Sequence, residues 1–150
     1  MQDNIANIAF FYGLVHYYAT IAEPAELELE FSQSRDNFYN AAQHGINATI
    51  QWTDGQRTRL QKRVLDQLLV EAETGLHKLG IDEHDISHNL RIIEKRILSG
   101  QTGSQWQKQF AELHDYDMQK LTKQYLHNQR SNLPWSRVLT NKGCVLIPLR

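Results

Sequence analysis

Residues 4–22, NIANIAFFYGLVHYYATIA, contain no Asp, Glu, Lys or Arg. Wound into a helix, this segment carries apolar side chains on every side and not along a single stripe. A helix of this kind is typically buried on all sides, at the centre of a bundle or against a partner. We therefore expect a central helix, or one that is docked on a partner or on a further domain of the same protein.

The same segment is close in length to a membrane-spanning helix. Polar residues are scattered through it, however, and no basic residues flank its start. The polar residues are Asn4, Asn7, His16 and Thr20. Membrane spans are usually more uniformly apolar and carry Lys or Arg at one end. The sequence therefore predicts a buried helix and no contact with a membrane.

The composition indicates one soluble domain. The chain has 150 residues, of which 41% are hydrophobic, and a chain of this length can bury a substantial core. Lys and Arg number 16 against 17 Asp and Glu, and the basic residues are spread along the chain, so no nucleic-acid partner is expected. Cys144 is the single cysteine, which excludes an internal disulfide and favours the cytoplasm.

Apolar residues at helical spacing recur through most of the chain after a predicted loop at Glu23–Glu30. We predict helices at Asp36–His44 with Ser32 or Ser34 as N-cap, at Leu60–Leu79, at Asp85–Ser99, and in two segments with the core stripes Trp106, Phe110, Leu113 and Met118, Leu121, Tyr125. Three of these helices are followed by a glycine, which readily adopts the left-handed conformation at a helix end: Gly45, Gly80 and Gly100.

Alternation between Ile46 and Trp52, followed by the turn pair Asp54-Gly55, predicts a β-hairpin that returns along Arg57–Leu60. A two-stranded hairpin is marginal in water, so it should pack on helices or extend another sheet. The apolar run Cys144–Leu149 could form an added strand, but the sequence offers no evident partner for it. We therefore predict a mainly α fold, a bundle of about five to six helices with one small β-hairpin, in which a helical region (1–131) precedes an irregular or extended tail (132–150).

Two motifs carry a resemblance to a known family. RDNFYNAAQHGINA (35–48) resembles Glu-Asn-x-x-x-Ala-Ala-Arg-x-Gly-Leu-Asp-Ala, and RILSGQTGSQWQKQF (96–110) resembles Arg-x-x-x-Gly-x-Thr-Gly-x-x-x-Gln. Both patterns are found near the C-terminal end of the glutamate–cysteine ligase type 2 family of carboxylate–amine ligases. The intervening segments 52–60 and 68–82 occur in the expected order, so the resemblance covers residues 4–130.

The resemblance implies an enzyme that uses ATP and magnesium to join the γ-carboxylate of glutamate to the amine of cysteine or a similar amine, through an acyl phosphate. In that family the active site lies on a curved antiparallel sheet in the preceding, N-terminal part. We therefore expect this chain to be a helical C-terminal region that supports the catalytic part and is inactive alone. No catalytic or metal-binding residue is assigned here, and ATP and magnesium are implied for the parent enzyme only.

The chain departs from the family pattern at two positions. Gln43 stands where the family often has arginine, which removes a fixed positive charge. Asp36 stands where glutamate is usual, which shortens the reach of the carboxylate by one methylene. Both changes fit a subfamily that uses a different amine or has lost activity.

Within the motifs, polar residues and one glycine are candidates to contact substrate or nucleotide in the parent enzyme: Arg35, Asn37, His44, Arg96, Gln101, Thr102, Gly103 and Gln107. A structural interpretation is open for each group. Arg35 and Asn37 can satisfy backbone groups, His44 can interact with the helix dipole, and Gly100–Gly103 can be a tight turn between helices.

Two further features of the sequence bear on function. His84 and His88 have the spacing of a zinc-binding pair, but no third ligand is fixed by spacing, and an acidic, solvated helix start is the better explanation of the region. The first helix also supports a rival function, in which the chain is a free-standing helical module that dimerises or binds a partner. That hypothesis predicts that Phe11→Glu together with Leu14→Glu abolishes assembly while the other helices stay formed.

Overall fold

The computed structural model describes residues 2–23, 28–100, 102–131, 137–140 and 143–146, with the backbone alone for the last two ranges. The fold is mainly α with a small β-hairpin, which confirms the predicted fold class. In chain order the elements are α1 (Gln2–Thr20), α2 (Phe31–His44), β1 (Thr49–Gln51), β2 (Arg57–Arg59), α3 (Leu60–Arg63), α4 (Leu69–Lys78), α5 (Glu83–Ser99), α6 (Gly103–Leu113), α7 (Met118–Arg130), β3 (Arg137–Thr140) and β4 (Gly143–Leu146).

The main core lies where α1 packs against α4 and α5. Residues at steps of three and four along each helix meet there, because those positions share one face. Its buried members are Ala6, Phe10, Val64, Leu68, Ala72, Leu76, Ile86, Leu90 and Ile93. The helices predicted at Leu60–Leu79 and Asp85–Ser99 thus bury apolar residues at helical spacing, as expected.

A central position for α1, the first of the two expected alternatives, is wrong for the described part of this chain, whereas docking on a partner or on a further domain stays a prediction. Ala6, Phe10 and Gly13 are buried against α4 and α5, but Ile8 and Val15 on the other side are 67% and 64% exposed. Two helices can cover only about half the circumference of a third. Among the described residues, no helix is long and apolar enough to cross a membrane.

The start of α2 also differs from the prediction. The helix begins at Phe31 with Glu30 as its N-cap residue, and neither Ser32 nor Ser34 occupies that position. The Ser32 hydroxyl instead donates to Glu30 Oε2 over 3.4 Å. The preceding residues 24–27 lie outside the described part of the chain.

The helix predicted at Leu60–Leu79 is continuous but not regular. Residues Val64–Leu68 form a π-helical segment between α3 and α4, in which the N–H of Leu69 reaches back five residues to the carbonyl of Val64. π-helical turns are rare and occur often at functional sites. The next helix, α5, starts earlier than predicted, because Asp82 caps it by accepting from the N–H of His84 over 2.9 Å.

The segments α6 and α7 pack on each other around Trp106, which is fully buried together with most of Phe110. The predicted core stripes are only partly correct. Leu113, Met118 and Tyr125 are 66%, 55% and 40% exposed, because two helices that pack as a pair bury only a narrow strip between them.

The predicted hairpin is present as β1 and β2, paired antiparallel with Ile50 opposite Thr58. The expected tail contains a second hairpin, in which β4 pairs antiparallel with β3. The strand predicted near Cys144 therefore has a partner in the chain, which the sequence did not reveal because its pairing strand lies in a segment without clear alternation. The side chains of this hairpin, including Cys144, lie outside the described residues.

Candidate functional site

A chain of polar side chains links the end of α1, the β1–β2 turn and α4, and we call these residues, Tyr18, Asp54, Arg63, Gln67 and Glu71, the Arg63 network. Three of them follow one another at steps of four residues, from the last residue of α3 through the π-helical segment into α4. Side chains at this spacing lie along one helix face and meet their neighbours.

The contacts of the Arg63 network run without interruption. Tyr18 Oη donates to Glu71 Oε2 over 2.7 Å, and Gln67 Nε2 donates to Glu71 Oε1 over 2.5 Å. Arg63 donates from one terminal nitrogen to Gln67 Oε1 and from the other to Asp54 Oδ2, the latter over 2.9 Å. Glu71 is only 7% exposed, and both its oxygens accept a hydrogen bond, as a buried carboxylate requires.

The network shifts the pKa of two of its members. Burial raises the pKa of Tyr18 well above its ordinary value, and the hydrogen bond to Glu71 raises it further. The hydrogen bond from Arg63 lowers the pKa of Asp54 below its ordinary value. Tyr18 is therefore a neutral hydrogen-bond donor and Asp54 an ionised acceptor throughout the neutral pH range.

A cavity of about 240 Å³ lies over the network and is lined by Tyr18, Trp52, Thr53, Asp54, Arg63, Gln67 and Glu71. The guanidinium carbon of Arg63 lies 5.9 Å from the Trp52 ring, within the range of a cation–π contact. The donors and acceptors of the network are mostly used within it. The arrangement therefore fixes α1, the hairpin and α4 relative to one another, and it offers neither an activated nucleophile nor a free base at the cavity wall.

The sequence did not single out the Arg63 network. Arg63, Gln67 and Glu71 at steps of four residues have the spacing of an ordinary solvated helix face. One signal was present: Glu71 is flanked by the apolar residues Leu69, Val70 and Ala72, which is typical of a half-buried position. Its partners come from α1 and the hairpin turn, and only the tertiary structure brings them together.

Of the candidates on α2, Asn37 holds a structural position. Asn37 donates from Nδ2 to the carbonyl of Gln51 over 2.7 Å and accepts from the N–H of Gln51 over 3.0 Å, so it fastens α2 to the outer edge of β1. Arg35 is exposed and pairs with its neighbour Asp36 over 3.2 Å. His44 is exposed in the last turn of α2.

The remaining candidates lie in two other places. Arg96 is 19% exposed and binds the first turns of α1, with 2.7 Å to Asp3 and 3.0 Å to Asn7. Thr102 is the N-cap of α6 and forms a capping box with Gln105. Gly103 opens the same helix. Gln107 is exposed on α6, whereas Gln101 lies outside the described residues.

The seven described candidates lie on or cap three helices, α2, α5 and α6, and none of the hydrogen bonds given above joins one candidate to another. Asn37, Arg96 and Thr102 have partners within the chain that explain their residue types. Contact of any of the eight with substrate or nucleotide stays a prediction.

The pair His84 and His88 lies on the solvent face of α5. The two rings stack with their centroids 6.1 Å apart, and they line an open cavity of about 280 Å³ with Ser87, Arg91, Ile92 and Lys95. No carboxylate lines this cavity.

An apolar face on α1, which we call the α1 face, is uncovered among the described residues. It consists of Ile5, Ile8, Phe11, Tyr12 and Val15, which are 46–67% exposed. Leu14 does not belong to it, because Leu14 packs partly buried against the main core. The double substitution of Phe11 and Leu14 predicted from the sequence would therefore disturb the core as well as the surface.

Comparison with known proteins found no matching family model, no matching curated sequence and no matching solved structure.

Proposed function

We propose that this chain is the helical C-terminal region of an ATP-dependent carboxylate–amine ligase, in which the α1 face packs on the catalytic part and supports its sheet. The exposed α1 face is the observation that carries the proposal. Alone, the chain is expected to be inactive.

The size and chemistry of the α1 face support an interface. Taking about 200 Å² for a fully exposed large side chain, its five residues expose roughly 600 Å² of mostly apolar surface. A contiguous apolar patch of this size marks an interaction site on many proteins. No charged residue occurs between Asn4 and Ala22, so docking of this face leaves no charge of its own buried and unpaired.

The identity of the partner rests on the two motifs at 35–48 and 96–110. The mainly α fold agrees with the helical C-terminal region that this resemblance implies. The motifs contribute two of the fastenings described above, Asn37 on β1 and Arg96 on α1, which hold the bundle in the shape that presents the α1 face.

Magnesium prefers an octahedral shell of oxygen ligands, and the one converging group of potential metal ligands among the described residues includes an imidazole. In the proposal, nucleotide and metal therefore bind to the catalytic part.

The decisive experiment compares the whole reading frame that contains this chain with the chain alone. ADP formation that requires both glutamate and an amine is expected from the former and not from the latter. A reading frame that encodes no catalytic part, or a whole protein without such turnover, would contradict the ligase activity.

The α1 face is tested by Ile8→Glu together with Phe11→Glu, both at exposed positions. In the whole protein we expect loss of turnover and, by limited proteolysis, release of the helical region. The matched control is Leu113→Glu, a similarly exposed apolar residue on α6, which should leave both unchanged. If both variants show the same turnover and the same proteolysis pattern, the α1 face is not part of the interface.

The rival function, self-association of a free-standing module, is favoured by the same face, because an uncharged apolar stripe is compatible with a second copy of itself. It predicts that the isolated chain is a dimer by light scattering and that the Ile8 and Phe11 double variant is a folded monomer. An isolated chain that is monomeric at tens of micromolar would exclude it.

A further inference from the structure

Three potential metal ligands converge where α4 meets α5. Glu73 and His77 lie one turn apart at the end of α4, and Glu83 is the first residue of α5. One ligand atom from each lies within 4.8 Å of the others, and His77 Nε2 is 3.2 Å from Glu83 Oε2. The four-residue connection between the helices places these side chains on the same side of the turn.

The charges of this cluster are not balanced by the rest of the described chain. Two carboxylates approach each other, and no ion pair links either one to a Lys or Arg among the described residues. A bound divalent cation would neutralise both carboxylates and accept the imidazole as a ligand.

We propose that Glu73, His77 and Glu83 form a binding site for a divalent transition metal of the zinc type, which joins α4 to α5. Imidazole and carboxylate together favour zinc over magnesium or calcium, which prefer oxygen ligands alone. The site is therefore distinct from the magnesium–ATP chemistry of the proposed ligase, and it does not depend on that function.

The geometry needs only small changes. Zinc binds nitrogen and oxygen at about 2.0–2.2 Å, so tetrahedral ligands lie about 3.4 Å apart. His77 and Glu83 already meet this separation, and their side chains are 47% and 68% exposed, so they are free to rotate around an ion. Three protein ligands leave a fourth position for water.

The test uses the whole chain with cobalt as a spectroscopic probe and zinc as competitor. We expect one cobalt per chain with visible absorption bands of a tetrahedral or five-coordinate ion, and displacement of cobalt by zinc. A free zinc concentration ten times the dissociation constant should raise the melting midpoint by about 3 °C or more.

Variants separate this site from adventitious binding to surface histidines. His77→Ala should abolish the bands and the rise of the midpoint, and Glu83→Gln should weaken binding about tenfold or more. His84→Ala is the matched control, because His84 is also exposed and lies 3.5 Å from a carboxylate, that of Asp85, but outside the cluster. Circular dichroism establishes that each variant is folded.

Two results would overturn the proposal. One is the absence of cobalt or zinc uptake by the folded wild-type chain at millimolar metal. The other is uptake that His77→Ala leaves unchanged or that His84→Ala reduces equally.

Discussion

The backbones of α1 and α4 touch at Gly13 and Gly75. A Cβ atom on Gly75 would lie 2.0 Å from the carbonyl oxygen of Gly13, and one on Gly13 would lie 2.3 Å from the carbonyl oxygen of Ala72. Non-bonded carbon and oxygen atoms essentially never come this close, and the obstructing atoms belong to backbone that cannot rotate away. The crossing that organises the main core therefore requires glycine at both positions.

We expect Gly75→Ala to lower the free energy of unfolding by about 2 kcal/mol or more, because the helices must separate to admit the methyl group. Alanine otherwise favours a helix over glycine by about 1 kcal/mol. Gly103→Ala is the control, since a Cβ there meets nothing within 4 Å. Chemical denaturation measures the change in the free energy of unfolding for each variant. We expect a clear loss for Gly75→Ala and a small loss or a gain for Gly103→Ala. Similar small changes in both variants would mean that the helices do not cross this closely.

The raised pKa of Tyr18 makes stability depend on alkaline pH. Above about pH 10 an unfolded tyrosine ionises, whereas Tyr18 in the folded chain keeps its proton. The unfolded state then binds fewer protons, so the stability that Tyr18 contributes is complete below pH 10 and declines as the pH rises further.

Tyr18→Phe should remove this contribution to the alkaline decline and also cost about 1 kcal/mol at neutral pH, because Glu71 loses a hydrogen bond. Tyr12→Phe, at an exposed position, is the control. Denaturation curves of the three proteins between pH 7 and 11 provide the measurement. Parallel pH profiles for wild type and Tyr18→Phe would contradict the role of Tyr18.

Because the two hydrogen bonds of Asn37 attach α2 to β1, we expect α2 to detach from β1 when they are lost. Asn37→Ala should cost about 1–3 kcal/mol, because the N–H and carbonyl of Gln51 both lose their partner. Hydrogen exchange should rise in α2 and β1 and stay low in α4. Asn40→Ala, at an exposed position of the same helix, should change neither quantity; a uniform rise across the chain would argue against a local attachment.

Asp117 caps α7 by accepting from the N–H groups of Gln119 and Lys120, each over 3.0 Å. The hydrogen bond from the Lys120 backbone lowers the pKa of Asp117 below its ordinary value. A lowered pKa means that the stabilisation is present above about pH 4, where an unfolded aspartate is ionised, and is lost as the pH falls through the folded value.

Asp117→Ala should therefore destabilise α7 at neutral pH. Asp117→Asn should retain most of the cap, since asparagine caps helices about as well as aspartate, but lose the acid dependence. Far-ultraviolet circular dichroism between pH 2 and 7 distinguishes the variants. An acid transition in Asp117→Asn identical to that of wild type would show that this carboxylate does not contribute to it.

Local patterns along the chain predicted most of the secondary structure. The buried stripe through Ile86, Leu90 and Ile93, the turn at Asp54-Gly55 and the left-handed Gly100 all follow from interactions within a few residues, and each is confirmed. Local patterns did not fix every helix start or every core residue. Ser32 is a good capping residue, but α2 starts one residue before it, and Met118 has the spacing of a core residue on a helix that buries little.

The candidate site shows the same limit more strongly. The eight motif residues were identified by sequence order, and the seven of them that the structure describes lie on or cap three helices, α2, α5 and α6. The Arg63 network was missed because Tyr18, Asp54 and Glu71 come from three elements, and nothing in their local spacing relates them.

By itself, the sequence determined that the chain is mainly α, where most helices lie, and that the uncharged segment 4–22 must bury apolar surface, because periodicity and turn chemistry act over a few residues. Tertiary structure alone decided which side of that segment is buried. The close passage of Gly13 over Ala72 and Gly75 directs one side of α1 towards α4 and leaves Ile8, Phe11 and Val15 uncovered. The physical reason is that contact between backbones depends on the orientation of two helices whose residues lie about sixty positions apart, and no local rule specifies that orientation.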